Sequence, residues 1–223
     1  MTEPVRLALI TPRVAEPDAF APALEAACAA APVAAVLLRL EAADERTLVN
    51  RVKALAPRAQ GHGAAVLVWV VGEARPGLDV VTLAVRGGAD GVHATGPEGL
   101  SSLRERLGGE RTLGVGGLRS RHDAMLAGEA GVDYLLFGEP RPDGTLPPLD
   151  QVAERAGWWA EIFETPCIAV APALEAVGPL AGTGAEFVAL GEAAWSHPDG
   201  PAAALKAAQA ALDGAAPDKG SRA

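Results

Sequence analysis

The chain has 223 residues, 49% of them hydrophobic and 21% charged, which is enough apolar material for one sizeable core. Nineteen basic against 28 acidic residues leave a net charge of −9. That balance argues against a general nucleic-acid or anionic-membrane binder, since both polyanions select a basic surface. It leaves room for a small anion, which needs only a few local cations or a helix N-terminus.

No apolar run is long enough to span a bilayer, and Met1 to Ile10 lacks a basic segment followed by a signal-type stretch, so a cytoplasmic chain is expected. Cys28 and Cys167 lie far apart and show no metal-ligand spacing; both read as small core residues.

Short β-branched runs alternate with longer alanine- and leucine-rich segments along the chain. The pattern predicts strands at 7–10, 35–38, 65–71, 91–93, 112–115, 134–137, 167–170 and 187–190. Helices are predicted between and after them at 18–30, 45–60, 78–86, 99–107, 121–130, 149–163, 174–181 and 201–212. Apolar strands with a helix on every connection imply a parallel sheet, and eight such units in this length suit a (β/α)8 TIM barrel. An open doubly wound sheet is the alternative, but Ile10-Thr11-Pro12-Arg13 is not its glycine-rich phosphate turn. A single barrel domain is expected over 1–213, followed by a disordered tail at 214–223.

One theme recurs three times: Gly88-Ala89-Asp90-Gly91, Gly131-Val132-Asp133-Tyr134 and Gly184-Ala185-Glu186-Phe187. A glycine ends a helix, and an acid then precedes a strand. Asp90, Asp133 and Glu186 are therefore expected to be joints at the bottom of the barrel rather than reactive groups.

Ligands bind where barrel strands end, so the residues delivered there matter most. In chain order they are Thr11 and Arg13; Arg39 and Glu41; Trp69 and Glu73; His93; Gly116, Gly117 and Arg119; Gly138, Glu139 and Arg141; Pro172; Gly191 and Glu192. Arg39 either holds a phosphate or carboxylate or pairs with Glu41, Glu73 or another rim acid. His93 either serves the site near neutral pH or is satisfied by a backbone carbonyl. The amides of Gly116 and Gly117 could form an anion nest beside Arg119, while Ser120 and Asp123 read as a capping box. Glu139 suits a general acid or base, or an ion pair with Arg141 or Arg119. The expected site is thus His93 and Glu139 as catalytic candidates, with Arg39, Gly116, Gly117, Arg119 and Gly138 binding substrate. In the Trp158-Trp159 pair, one ring is expected on the barrel wall and the other on a neighbouring helix or subunit.

Four segments together resemble one family. They are Leu7-Ala8-Leu9-Ile10-Thr11; Val36-Leu37-Leu38-Arg39; Gly88-Ala89-Asp90-Gly91-Val92-His93; and Gly131 through Gly138, Gly-Val-Asp-Tyr-Leu-Leu-Phe-Gly. They are similar to thiamine phosphate synthases and their thiazole tautomerase relatives, which are (β/α)8 barrels. The resemblance implies a transferase of thiamine biosynthesis that joins a pyrimidine diphosphate to a thiazole phosphate with Mg²⁺. It also implies self-association, although no segment here specifies an interface.

The family pattern departs at several working positions. Glu41 stands for a lysine, Trp69-Val70-Val71 for an N-D-R motif with only Asp79 nearby, and Gly96-Pro97-Glu98-Gly99 for G-Q-E-D. Gly116 and Leu118 replace a serine and a threonine, the latter also the tautomerase histidine position, and Ala171-Pro172 replaces G-G. Glu192 brings a carboxylate to the last strand end. These departures lead to the expectation of a divergent member with weak, altered or no synthase activity, Mg²⁺ entering only if that activity is retained. The competing expectations are a non-catalytic barrel binding a small anionic or heteroaromatic metabolite or a protein partner, and a lyase or isomerase using Glu139 with His93.

Overall fold

A computed structural model describes residues 4–72, 77–141 and 145–215. Eight parallel strands close into a barrel in sequence order: β1 (Arg6–Ile10), β2 (Val33–Glu41), β3 (Ala65–Val71), β4 (Gly91–Thr95), β5 (Thr112–Gly116), β6 (Tyr134–Phe137), β7 (Cys167–Ala171) and β8 (Phe187–Leu190). The helices are α1 (Pro17–Ala30), α2 (Glu45–Gln60), α3 (Val80–Gly87), α4 (Leu100–Leu107), α5 (Arg121–Glu129), α6 (Leu149–Ile162), α7 (Val177–Ala181), α8 (Glu192–Trp195) and α9 (Gly200–Ala215), with a 3-10 turn at Leu174–Ala176 before α7. The open sheet is therefore set aside in favour of the (β/α)8 barrel. Gly214 and Ala215, expected in the tail, continue α9, and 216–223 lie outside the described residues.

Strand side chains alternate between two apolar regions, as the two-residue period requires. Leu7, Leu9, Val36, Leu38, Leu113 and Val115 point outward into the layer beneath the helices. Ala8, Ile10, Leu37, Leu67, Trp69, Tyr134, Leu136, Ile168 and Val170 fill the barrel itself. The packed interior makes this a core rather than a pore. Strand β5 gives the interior almost nothing. A side chain on Gly114 would run into the ring of Tyr134, so glycine there is what admits the tyrosine.

The repeated joints behave as read. Gly88, Gly131 and Gly184 all take positive φ (81°, 77° and 95°), the left-handed turn that glycine adopts cheaply. Asp90 then accepts the Val66 N–H at 2.7 Å, Asp133 the Leu113 N–H at 2.7 Å, and Glu186 the Cys167 N–H at 2.8 Å. Each acid thereby anchors the start of the preceding strand in the barrel. Gln60 donates to Asp90 and Arg104 to Asp133, so two of these carboxylates have further partners.

The capping box of α5 is present, with the Asp123 N–H donating to Ser120 Oγ at 3.1 Å and the Ser120 N–H donating back to Asp123. Trp159 is fully buried, donates to the Thr165 carbonyl and stacks on Phe163; Trp158 lies under the Arg121 guanidinium of α5. Cys28 and Cys167 are buried free thiols whose pKa values burial pushes up to about 11 and about 12, so both stay protonated. Among the described residues no helix is long and apolar enough to cross a membrane.

Candidate functional site

A cavity of about 970 Å³ opens over the C-terminal ends of β2 to β6 and the first turns of α6. Arg39, Gly117, Arg119, Gly138 and Glu139 all line it, together with Arg13 and Arg141 from the adjoining loops. A second hollow of about 690 Å³ sits on the outer wall between α1 and α2, away from every strand end. The barrel mouth is where the candidate residues meet.

Arg39 belongs to β2, which runs three residues beyond its expected end. The strand continues by pairing Arg39, Leu40 and Glu41 with Trp69, Val70 and Val71 of β3, and the Arg39 guanidinium carbon lies 5.2 Å from the centroid of the Trp69 ring. The Arg39 N–H donates to Thr11 Oγ1 at 2.9 Å, fixing the strand at this point. Trp69 in turn donates to Thr95 Oγ1 at 3.1 Å. The Arg39 Nε is buried without a hydrogen-bond partner. Burial lowers its pKa first and the neighbouring Arg13 charge lowers it further, with Glu192 acting in the opposite sense. An Arg39–Glu41 pair is not formed: Glu41 is exposed, and its backbone carbonyl accepts from Arg51. Glu73, the other expected partner, lies outside the described residues.

His93 sits inside the barrel rather than on its rim, only 3% exposed. Its Nδ1 lies 2.8 Å from the Tyr134 hydroxyl, not on a backbone carbonyl, and its Nε2 has no partner. Burial pulls its pKa down to about 3, so the imidazole is neutral at physiological pH. It can pass or hold a proton as a neutral ring but cannot act as a resident imidazolium acid.

Glu139 turns its carboxylate into the same space. A Cβ on Gly116 would lie 2.9 Å from Glu139 Oε1 and 3.0 Å from His93 Nε2, placing these atoms within about 6 Å of each other. Only glycine leaves room for both. Glu139 forms no ion pair with Arg141 or Arg119 among the described residues; it accepts the Gly117 N–H instead. Burial raises its pKa, opposed by that amide and by the nearby Arg155 charge. Of the two amides expected to form a nest, that of Gly117 is thus already engaged by a side chain of the protein itself. Gly138 takes φ of 104°, wedged against Val152 and the Val170 carbonyl, and so sets the direction in which Glu139 leaves β6.

Arg119 and Arg141 are exposed at the mouth. The Arg119 backbone N–H donates to Asp123, while the Arg141 guanidinium reaches Gln151 only at 3.4 Å. Arg155 was not foreseen. It donates to the carbonyls of Leu118 at 2.9 Å and Arg119 at 2.7 Å, clamping the loop after β5. The available signal was a cation set among Val152, Ala156 and Trp159, the buried stripe of α6.

The described residues do not fit a magnesium site. Asp79, the nearest substitute for a metal carboxylate, caps α3: one oxygen accepts the Val81 N–H and the other accepts from Thr82 and Arg106, which hold its pKa well below the usual range. Among the described residues Glu139 is the sole acid lining the cavity, and no group of three His, Cys, Asp or Glu side chains is placed to hold a metal. A hard divalent cation needs several free oxygen ligands.

Fold and site together define a (β/α)8 barrel whose mouth is lined by several arginines. Residues 7–194 match the family model described as thiamine monophosphate synthase, and the chain belongs to that family. It is 40% identical over 204 residues to a thiamine-phosphate synthase of Rhodospirillum centenum, covering 90% of this chain and 94% of that one. A thiamine-phosphate synthase of Hyphomonas neptunium is 33% identical over 219 residues, covering 93% and 94%. The solved thiamine phosphate pyrophosphorylase from Pyrococcus furiosus superposes with a TM-score of 0.73 at 20% identity, over 96% of this chain and 98% of that one, a likeness of fold.

Proposed function

We propose that this chain is a divergent thiamine phosphate synthase-like barrel that binds a small anionic or heteroaromatic metabolite in its mouth and does not run the synthase reaction efficiently. The observation that carries this reading is the state of the acids. Glu139, the sole acid lining the cavity among the described residues, is engaged by the Gly117 amide, and Asp79 is consumed as a helix cap. Joining a pyrimidine diphosphate to a thiazole phosphate expels pyrophosphate, whose developing charge a bound metal ordinarily offsets. Without carboxylates free to hold the metal among the described residues, that stabilisation is lost from the transition state.

The remaining groups are suited to binding. Arg39 and Trp69 form a flat cationic shelf, and a heteroaromatic ring or a carboxylate can meet it. Neutral His93 and buried Glu139 lie below as hydrogen-bonding groups. The test is a turnover assay of the purified protein with the pyrimidine diphosphate, the thiazole phosphate and Mg²⁺. Slow or absent formation of thiamine phosphate is expected; turnover at the rate of an efficient family enzyme overturns the reading.

A further inference from the structure

Tyr134 is the single tyrosine of the chain, and it stands inside the barrel in the room that Gly114 leaves for it. Its hydroxyl lies 2.8 Å from His93 Nδ1, its one hydrogen bond among the described residues. The imidazole is packed on both sides. Its centroid lies 4.5 Å from that of Trp69 and 5.7 Å from that of Tyr134, with the tyrosine ring tilted by only 23°. That packing fixes the plane of the ring and leaves Nε2 facing the bare Cα of Gly116, where the nearest other polar atom is Glu139 Oε1. Nε2 is buried without a partner.

A neutral imidazole carries one proton, and the bond made at one nitrogen decides the state of the other. With the proton on Nδ1, the ring donates to the tyrosine oxygen. The Tyr134 O–H is then a buried donor with no acceptor, and the Nε2 lone pair faces a carboxylate. With the proton on Nε2, the Tyr134 O–H donates to Nδ1 and an N–H faces that carboxylate. The first arrangement strands a donor and sets two electron-rich atoms against each other. The second leaves only the Nε2–H without a bond, and its positive end matches the charge it faces. In a water-poor interior both differences are felt strongly.

We infer that Tyr134 is a positioning residue: its hydroxyl donates to His93 Nδ1, which puts the imidazole proton on Nε2 and turns that N–H toward the Glu139 carboxylate. Hydroxyl, imidazole and carboxylate form a column from the barrel interior to the mouth, and Glu139 is the member that lines the cavity. His93 is a donor in this column and does not take a proton from a ligand. Glu139 is the acceptor presented to the mouth, and Tyr134 acts on it through His93. The inference goes beyond the functional reading and is independent of it, since the rate of thiamine phosphate formation does not bear on where this proton sits.

Nitrogen-15 NMR of the full chain labelled in histidine tests it at pH 8, the His93 resonances being those absent from His93→Gln. A proton on Nε2 is expected, with an unprotonated Nδ1 moved upfield by the hydrogen bond it accepts. In Tyr134→Phe the Nδ1 resonance should move downfield, to the position of a nitrogen without a bond. Because the chain has one tyrosine, 3-fluorotyrosine supplied during expression alters Tyr134 alone. Its more acidic hydroxyl should move Nδ1 further upfield, and this sample decides the matter where the phenylalanine variant does not fold. In Glu139→Ala the Nε2–H proton should move upfield on losing the carboxylate it faces. A proton on Nδ1 in the native chain, an Nδ1 resonance indifferent to both changes at Tyr134, or an Nε2–H proton unmoved in Glu139→Ala overturns the inference.

Discussion

At the bottom of the barrel, polar groups are satisfied by the chain itself. Asp90, Asp133 and Glu186 each accept a strand-initiating N–H at 2.7 to 2.8 Å, and the first two take a second donor as well. At the mouth the balance is reversed: the arginines have no acid partners among the described residues, and the Arg39 Nε and His93 Nε2 are buried without a bond. A barrel of one repeating unit has thus divided its charges by end. Carboxylates at the bottom close hydrogen bonds that folding would otherwise leave open, while among the described residues Arg13, Arg39 and Arg119 at the mouth form no ion pair. Stability should therefore respond to the bottom and ligand affinity to the top, with the buried polar pair beneath the mouth belonging to neither cleanly.

That buried pair gives the largest expected departure. His93 has its pKa lowered to about 3 from an ordinary 6.5 by burial. The unfolded chain binds more protons than the folded one between these values, so stability is complete above about 6.5 and falls as pH drops toward 3. A loss of a few kcal/mol is expected in urea unfolding at pH 4 compared with pH 7.5. In His93→Gln most of that difference should vanish; an undiminished slope would mean other groups carry it.

Next comes the bottom. Asp133→Ala strands the Leu113 N–H and removes the Arg104 contact, costing about 2 kcal/mol in urea midpoint analysis. An unchanged midpoint would erase the division between the two ends.

The smallest effect belongs to Glu139. Its folded pKa is raised above 4.5 by burial, so the folded state binds more protons and stability falls as pH rises from that value through the folded pKa. Glu139→Gln should be more stable than the wild type at pH 8 by about 1 kcal/mol, with the gain gone at pH 4. A variant less stable at pH 8 would show that the carboxylate's bond to the Gly117 amide outweighs its burial.

Much of this was legible in the residues. Alternation of apolar runs with alanine-rich segments located all eight strands, and helix α2 at 45–60 carries the same bounds in the structure. The glycine–acid joints read correctly because their turn and their strand contact are both local signals. Helix α8 was missed because four residues are too few to show a period. Strand β2 was cut short at Leu38 because Arg39 looked like a strand end, whereas Arg39, Leu40 and Glu41 go on pairing with Trp69, Val70 and Val71 of β3. The partners of His93 and Glu139 could not be read at all. They depend on Tyr134 and Gly117 arriving from other units, contacts that no spacing along the chain encodes.

The emptiness of β5 has a consequence for how this barrel can vary. Gly114 makes the space that Tyr134 fills, and Gly116 makes the space shared by His93 and Glu139. Three neighbouring strands thus draw on volume that belongs to one of them, so these five positions change as a set or not at all. Substitutions among them should be strongly non-additive: a side chain at Gly114 that disrupts the native barrel becomes acceptable once position 134 is small. A relative with a bulkier fifth strand would need a different interior, and with it a different floor beneath the mouth.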